Sequence, residues 1–434
     1  MHNTLLFVPL PSRVFEFNQY KPVLEKRTTA RHEETNNSPY TRAFVKKMQF
    51  FFLLLLFVSS FANQLAPPIT PKTSMQEYVA ALNITLEKHY VTTADGYILL
   101  VHRLPNPGRP VVFLQHGILA SSWCWIANDP SRALGIVLHR AGYDVWLGNN
   151  RGNAFSLNHT SLPIRSKAFW NFTFNEMALF DLPAMIDTTL NITGKKNLNL
   201  IAWSQGNTQT FIASSDSHIG KKLSQQINLW IALSPVTYLY DSSSTLLTLV
   251  SRLHLADVLE AAFPYGVLQG GPALSALETF LCEITFGELC KLSVDLICGV
   301  SKDDTVTGLE RLTAHFPAGC SVKDVSHYEQ FIDQPVFAKF DYGKEGNEKE
   351  YNETIAPNYN ITNSQIKLAL FAGGQDDLVN SKDLQRMTKE FPPKMIVANN
   401  LYDGFSHVTW MVGSETAFDK WGNDVLELLI RFEL

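Results

Sequence analysis

Charge of one sign is scarce in this 434-residue chain. Its 36 Lys and Arg stand against 41 Asp and Glu, a formal net charge of −5 at pH 7 with His neutral. So mild and dispersed a balance gives no electrostatic case for nucleic acid. Internal repeats and low-complexity tracts are absent too, which argues against a solenoid or a disordered chain. Cysteine is sparse: there are five, an odd number, so at least one thiol is free or paired outside the chain. Cys282, Cys290 and Cys298 fall close together, room enough for one local disulfide in an oxidising compartment. No His or further Cys stands beside them at zinc-ligand spacing. Long apolar runs are missing except at 50–58, and that run is too short to span a bilayer, which needs about 20 residues.

What is present begins with that run. Lys46 and Lys47 precede it, and Ser60-Phe61-Ala62 follow it. This is the order of a signal peptide: basic residues, an apolar stretch, a small-residue cleavage site. We expect translation to start at Met48 and cleavage to follow Ala62, which makes 1–62 an extension and leader. Downstream of that site, sequons begin at Asn83, Asn158, Asn171, Asn191, Asn352 and Asn360, and their number agrees with passage through a secretory pathway, ending outside the cell or in a lysosome or vacuole.

Residues 63–75 are rich in Pro and Thr and read as a tether. From there the pattern predicts a hairpin, 88–93 and 97–103 around Asp95-Gly96. Buried strands follow at 111–115, 143–147, 198–201 and 229–233, with helices at 132–140 and 175–190. Strands resume at 366–371 and 395–398, with helices at 382–391 and 415–432. Alternation of this kind predicts an α/β fold, a mostly parallel sheet with helices on both faces. Between its two parts, 63–235 and 342–434, the segment 236–341 has helical spacing at 246–259, 274–286 and 294–312. It reads as a helical cap or lid insertion.

The stretch Leu198-Asn199-Leu200-Ile201-Ala202-Trp203-Ser204-Gln205-Gly206-Asn207 organises the rest. An apolar strand ends in small-x-Ser-x-Gly, and 208–214 can continue as a helix. That strand–turn–helix context makes Ser204 a candidate nucleophile at an elbow. The neighbours at minus two and plus two must be small, and here they are Ala202 and Gly206. Ala202 is acceptable if its φ is negative, whereas Gly206 has no such latitude.

A serine hydroxyl needs a base, and the base needs an acid to hold its tautomer and its positive charge. Of the twelve histidines, only His218, His254, His315, His327 and His407 follow Ser204. The first four fall before or within the helical insertion. His407 alone follows a late strand and an acid at a strand end. That acid is Asp376, directly after the turn Gly373-Gly374-Gln375, with Asp377 as its rival. Two backbone N–H groups are needed as oxyanion donors. We assign them to Gln205 and, in the loop after the early strand, to Ile118, with Leu119 as the alternative. His116 is expected to order that loop, and Asp181 to anchor a helix or loop.

The chain resembles the acid lipases, the family of gastric and lysosomal acid lipases. The matching residues are Leu114 to Ser121, Ala141 to Gly152, Phe169-Trp170-Asn171-Phe172, Phe180 to Ala184, Ser204-Gln205-Gly206, Leu233-Ser234-Pro235, Gly373 to Asp376 and the His407 loop. The likeness spans roughly 84–432. It implies an α/β-hydrolase core, a helical cap with a mobile lid, and hydrolysis of triacylglycerols or cholesteryl esters. It puts the family's nucleophile on Ser204, its acid on Asp376, its base on His407 and its oxyanion donors on Gln205 and Ile118. Its cap disulfide falls on Cys282 and Cys290, leaving Cys298 free. The elbow departs from the family's usual Gly-His-Ser-Gln-Gly-Thr, with Ala202 and Trp203 before the serine and Asn207 after it.

The expected reaction is lipid-ester hydrolysis through an acyl-enzyme, at a lipid–water interface or micelle, without metal or organic cofactor. The alternatives are a soluble esterase or acyltransferase, and a catalytically impaired lipid-binding protein on a hydrolase scaffold.

Overall fold

A computed structural model of the chain describes residues 67–244, 266 and 288–433. The leader, the helices expected at 246–259 and 274–286, and the side chains of the Cys282–Cys290 pair lie outside the described residues. Cys124, Cys298 and Cys320 are free thiols.

Among the described residues nine strands form one mixed sheet. They are β1 (Glu87–Thr92), β2 (Tyr97–Leu104), β3 (Val111–Gln115), β4 (Asp144–Leu147), β5 (Asn158–His159), β6 (Leu198–Trp203), β7 (Ile227–Leu233), β8 (Leu368–Gly373) and β9 (Ile396–Tyr402). The order is β1-β2-β4-β3-β6-β7-β8-β9, with β5 pairing β2. From β4 to β9 every neighbouring pair is parallel, and β1, β2 and β5 add the antiparallel edge. The central strands are buried on both faces, hence their continuous apolar sequences. Alternation decides which face each side chain serves. Val112, Leu114, Ile201 and Trp203 join one core, and Val111, Phe113, Leu200 and Ala202 join the other.

Helices cover both faces. On the Trp203 face lie α1 (Met75–Ala81), α2 (Leu134–Arg140), α7 (Val306–Thr313) and α11 (Glu415–Arg431). The Ala202 face carries α3 (Leu182–Thr193), α4 (Gln205–Ser215), α5 (Ile219–Gln226) and α10 (Ser381–Glu390). The remaining long helices are α6 (Glu288–Cys298), α8 (Val322–Asp333) and α9 (Gly343–Tyr351).

Two expectations change. Residues 67–75 are no tether: Ile69 packs on the core, the Pro67 carbonyl accepts from Arg311 Nη1 at 2.9 Å, and Ser74 opens α1 with a capping box. The segment 294–312 is two helices rather than one. Helix α6 stops at Cys298 because Gly299 follows it in the left-handed region at φ 88°; the Cys298 carbonyl accepts the N–H of His407 at 3.0 Å, and Asp304 then bridges to Gly413 before α7 begins. The glycine outweighs the apolar periodicity there. Helix α5 and the short β5 have no expectation behind them.

Candidate active site

The sheet brings the carboxyl ends of β3, β6, β7, β8 and β9 to one edge. Ser204 follows β6 with φ 52° and ψ −121°, and α4 starts at the next residue. A non-glycine residue held there costs on the order of 1–3 kcal/mol and persists only when its surroundings over-determine it. They do. The Ser204 N–H donates to the Leu233 carbonyl at 3.1 Å, and Asn207 Nδ2 donates to the same carbonyl at 2.8 Å. Trp230 Nε1 in turn donates to Asn207 Oδ1 at 3.0 Å. The departure at Asn207 thus ties the elbow to β7.

Close approach explains the glycines. A Cβ on Gly206 would lie 2.5 Å from the Gln115 carbonyl oxygen, and one on Gly117 would lie 2.8 Å from Ser204 Cβ. Ala202 is ordinary strand at negative φ, so its methyl group is accommodated.

His407 lies in the loop after β9, with its Nε2 2.8 Å from Ser204 Oγ and its Nδ1 2.9 Å from Asp376 Oδ2. Asp376 is fixed from the other side by the N–H groups of Leu378 and Val379 on Oδ1, at 3.0 and 2.9 Å. An ionised Asp376 accepts only, so Nδ1 carries the proton and Nε2 is free to take one from the serine. All three side chains are buried, at 5% exposure or less. The rival Asp377 points elsewhere and accepts from Ser243 Oγ.

The loop after β3 crosses over the serine at Gly117. Among the described residues nothing accepts a hydrogen bond from the N–H of Gln205, Ile118 or Leu119. His116 braces the loop: Nδ1 bonds the Gly117 carbonyl at 2.7 Å, while Nε2 accepts from the Asn150 N–H at 3.2 Å and faces Asn153 Nδ2 at 3.1 Å. Burial lowers its pKa to about 4, so the ring stays neutral above that value. Segment 318–322 supports the loop from behind. The Ala318 N–H reaches the Leu119 carbonyl at 2.6 Å, and Cys320 and Val322 pack on Ile118 and Leu119. Asp181 is the expected anchor, since Arg151 binds it through Nε at 2.8 Å and Nη2 at 2.6 Å, and reaches Asp95 through Nη1 at 2.6 Å.

Sequence reasoning missed three supports. Trp203, the bulky residue before the serine, donates its indole N–H to the His407 carbonyl at 2.9 Å. The rule that a buried Trp seeks an acceptor was the available signal. Asp304 accepts from Ser406 Oγ at 2.7 Å and Thr409 Oγ1 at 2.6 Å, and the Cys298 carbonyl holds the His407 N–H. No sequence signal marks these two. Among the described residues no cluster of three His, Cys, Asp or Glu could hold a metal, and no helix is long and apolar enough to cross a membrane.

A mostly parallel sheet with this elbow is an α/β-hydrolase fold. The family model for the alpha/beta hydrolase fold matches 110–225, and the one for a partial alpha/beta-hydrolase lipase region matches 75–129. The chain is 33% identical to the lysosomal acid lipase/cholesteryl ester hydrolase of Rattus norvegicus, over 84% of this chain and 94% of that protein. It is 37% identical to the gastric triacylglycerol lipase of Bos taurus, over 72% of this chain and 81% of that protein. A soluble variant of the monoglyceride lipase of Saccharomyces cerevisiae, solved with a substrate analogue, aligns with a TM-score of 0.49 at 14% identity over 84% of this chain and 99% of that one. The chain belongs to the acid lipase family.

Proposed function

We propose that the protein is a serine carboxyl-ester hydrolase acting on lipid esters, triacylglycerol or cholesteryl ester. One observation carries this reading: Ser204 Oγ, His407 Nε2, His407 Nδ1 and Asp376 Oδ2 form one line of hydrogen bonds, at 2.8 and 2.9 Å, on a strained elbow. His407 takes the Ser204 proton as Oγ attacks the ester carbonyl, and Asp376 stabilises the imidazolium. The negative charge that develops on the carbonyl oxygen is received by the N–H groups of Gln205 and Ile118. Collapse expels the alcohol, protonated by His407, and leaves an acyl-enzyme. Water, deprotonated by the same histidine, then releases the fatty acid.

The names of the relatives support the substrate class. Residues 236–341 serve as the cap in this reading, inserted between β7 and β8, which pair directly in the sheet. The six sequon asparagines are all exposed and able to carry glycans. With the leader, they support a secretory-pathway protein that works outside the cell or in a lysosome or vacuole, at a lipid–water interface.

The test is turnover of emulsified triolein and cholesteryl oleate against a soluble butyrate ester. Hydrolysis of a long-chain ester by the wild type and none by Ser204→Ala is the expected result. Turnover of the butyrate ester alone would favour the soluble-esterase reading.

A further inference from the structure

Helix α6 lies in the segment inserted between β7 and β8, and its last residue, Cys298, reaches the triad loops. A carbonyl has two lone pairs, and the Cys298 carbonyl uses both. It accepts the His407 N–H at 3.0 Å and the Asp377 N–H at 3.5 Å. One oxygen therefore joins the residue that carries the imidazole to the residue that follows the acid. Gly299 comes next, buried and left-handed at φ 88°, and its N–H closes α6 on the Asp295 carbonyl at 3.1 Å. Helices often end on such a glycine for conformational reasons alone. Here space imposes a second condition. A Cβ on Gly299 would overlap the Gln375 carbonyl oxygen and lie 3.0 Å from the Asp377 nitrogen. Both atoms are backbone, one on each side of Asp376. Nor is Gln375 free to step back, since its N–H donates to the Phe405 carbonyl at 2.9 Å and the Gly374 N–H donates to Tyr402 at 2.9 Å.

We propose that Gly299 is a positioning residue for Asp376: having no side chain, it lets the end of α6 lie against the acid loop and hold the carboxylate in line with His407 Nδ1. This rests on the hydrolase reading of the site. Gly299 acts through the backbone of 375–377 and not on the reacting atoms. A methyl group there displaces the peptide that precedes Asp376, and with it the carboxylate that fixes the imidazole's tautomer. A shift of about 1 Å in such a group is enough to cost about 100-fold in rate. Ser301 continues the clamp onto the histidine loop, with its Oγ 2.7 Å from the Gly404 carbonyl that it donates to.

The test uses full-length Gly299→Ala, with Gly194→Ala as its control. Gly194 ends α3 at φ 67° with nothing within 4 Å of an added Cβ, so alanine there meets left-handed strain and no neighbour. On a soluble ester, Gly299→Ala should lower kcat about 100-fold with KM within about twofold. Gly194→Ala should lower Tm and keep the wild-type kcat. The loss at 299 should also depend on the acid. Added to Asp376→Asn, Gly299→Ala should cost less than about threefold more, because residues that act as one unit are not additive. An equal loss in both backgrounds would overturn the proposal.

A second readout needs no turnover: the low-field proton resonance of His407 Nδ1–H in its hydrogen bond to Asp376. It should stand in the wild type and in Gly194→Ala, and be lost or displaced in Gly299→Ala. An unchanged resonance would contradict the positioning role. Should Gly299→Ala fail to fold, Ser301→Ala, which frees the Gly404 carbonyl and adds no atoms, carries the same readouts with a kcat loss of about fivefold. A wild type that turns over no ester would sink the hydrolase reading, and the resonance would still tell whether Gly299 places the acid.

Discussion

The serine side and the histidine side of the site are built in different ways. Ser204 is held by its own neighbourhood: adjacent parallel strands, a helix that starts at the next residue, and glycines at 117 and 206 that let backbones touch. His407 is held at a distance. Its carbonyl hangs on Trp203, its N–H on Cys298, and its loop on Asp304 through Ser406 and Thr409. The first is a steric solution that tolerates almost no change. The second spreads the same task over several hydrogen bonds, each worth about 1 kcal/mol net. Damage on the serine side should therefore be steep, and damage to the histidine supports graded.

The chemistry itself gives the largest expected effects. Ser204→Ala or His407→Ala should lower kcat by about 10⁴- to 10⁶-fold, and Asp376→Asn by about 10⁴-fold through the wrong histidine tautomer. Stopped-flow or long-time assays on a soluble ester would measure them. Next comes Gly206→Ala, whose methyl meets the Gln115 carbonyl, a backbone atom that cannot swing aside. We expect about 1–3 kcal/mol of destabilisation by thermal melting and a kcat loss of about 100-fold from displacement of the elbow. A smaller loss than that from Trp203→Phe would sharpen the contrast. That change keeps an aromatic ring but leaves the buried His407 carbonyl unpaired, so kcat should fall about tenfold with KM little changed. If Trp203→Phe proved as damaging as Gly206→Ala, the contrast between the two sides would fail. Least of all should come Asp377→Asn, whose carboxylate accepts from Ser243 Oγ and not from His407, and which should alter kcat by less than about twofold, a check on the choice of acid.

The legibility of the sequence follows the same division. The elbow, the strands around it and Asp376 rest on local patterns: a buried apolar run, small residues at set offsets, a turn after a strand. Such patterns are written in neighbouring residues. The indole of Trp203 reads locally as a bulky residue before the serine, and only the fold shows what its N–H does. Asp304 and Cys298 act across more than a hundred residues, by contacts that leave no periodic trace. The break after Cys298 is a different case, since Gly299 in the left-handed region ends α6 and is a local signal that the apolar spacing of 294–312 masks. Ile69 looked like part of a tether until the core it packs on was in place.

The measurement that tests the central claim most directly is labelling of the full-length protein by a fluorophosphonate, with the modified peptide identified by mass. An activated nucleophile at Ser204 predicts one adduct, on that residue, in the wild type, and none in Ser204→Ala or His407→Ala. An adduct on another serine, or no adduct on the folded protein with detergent present, would contradict it.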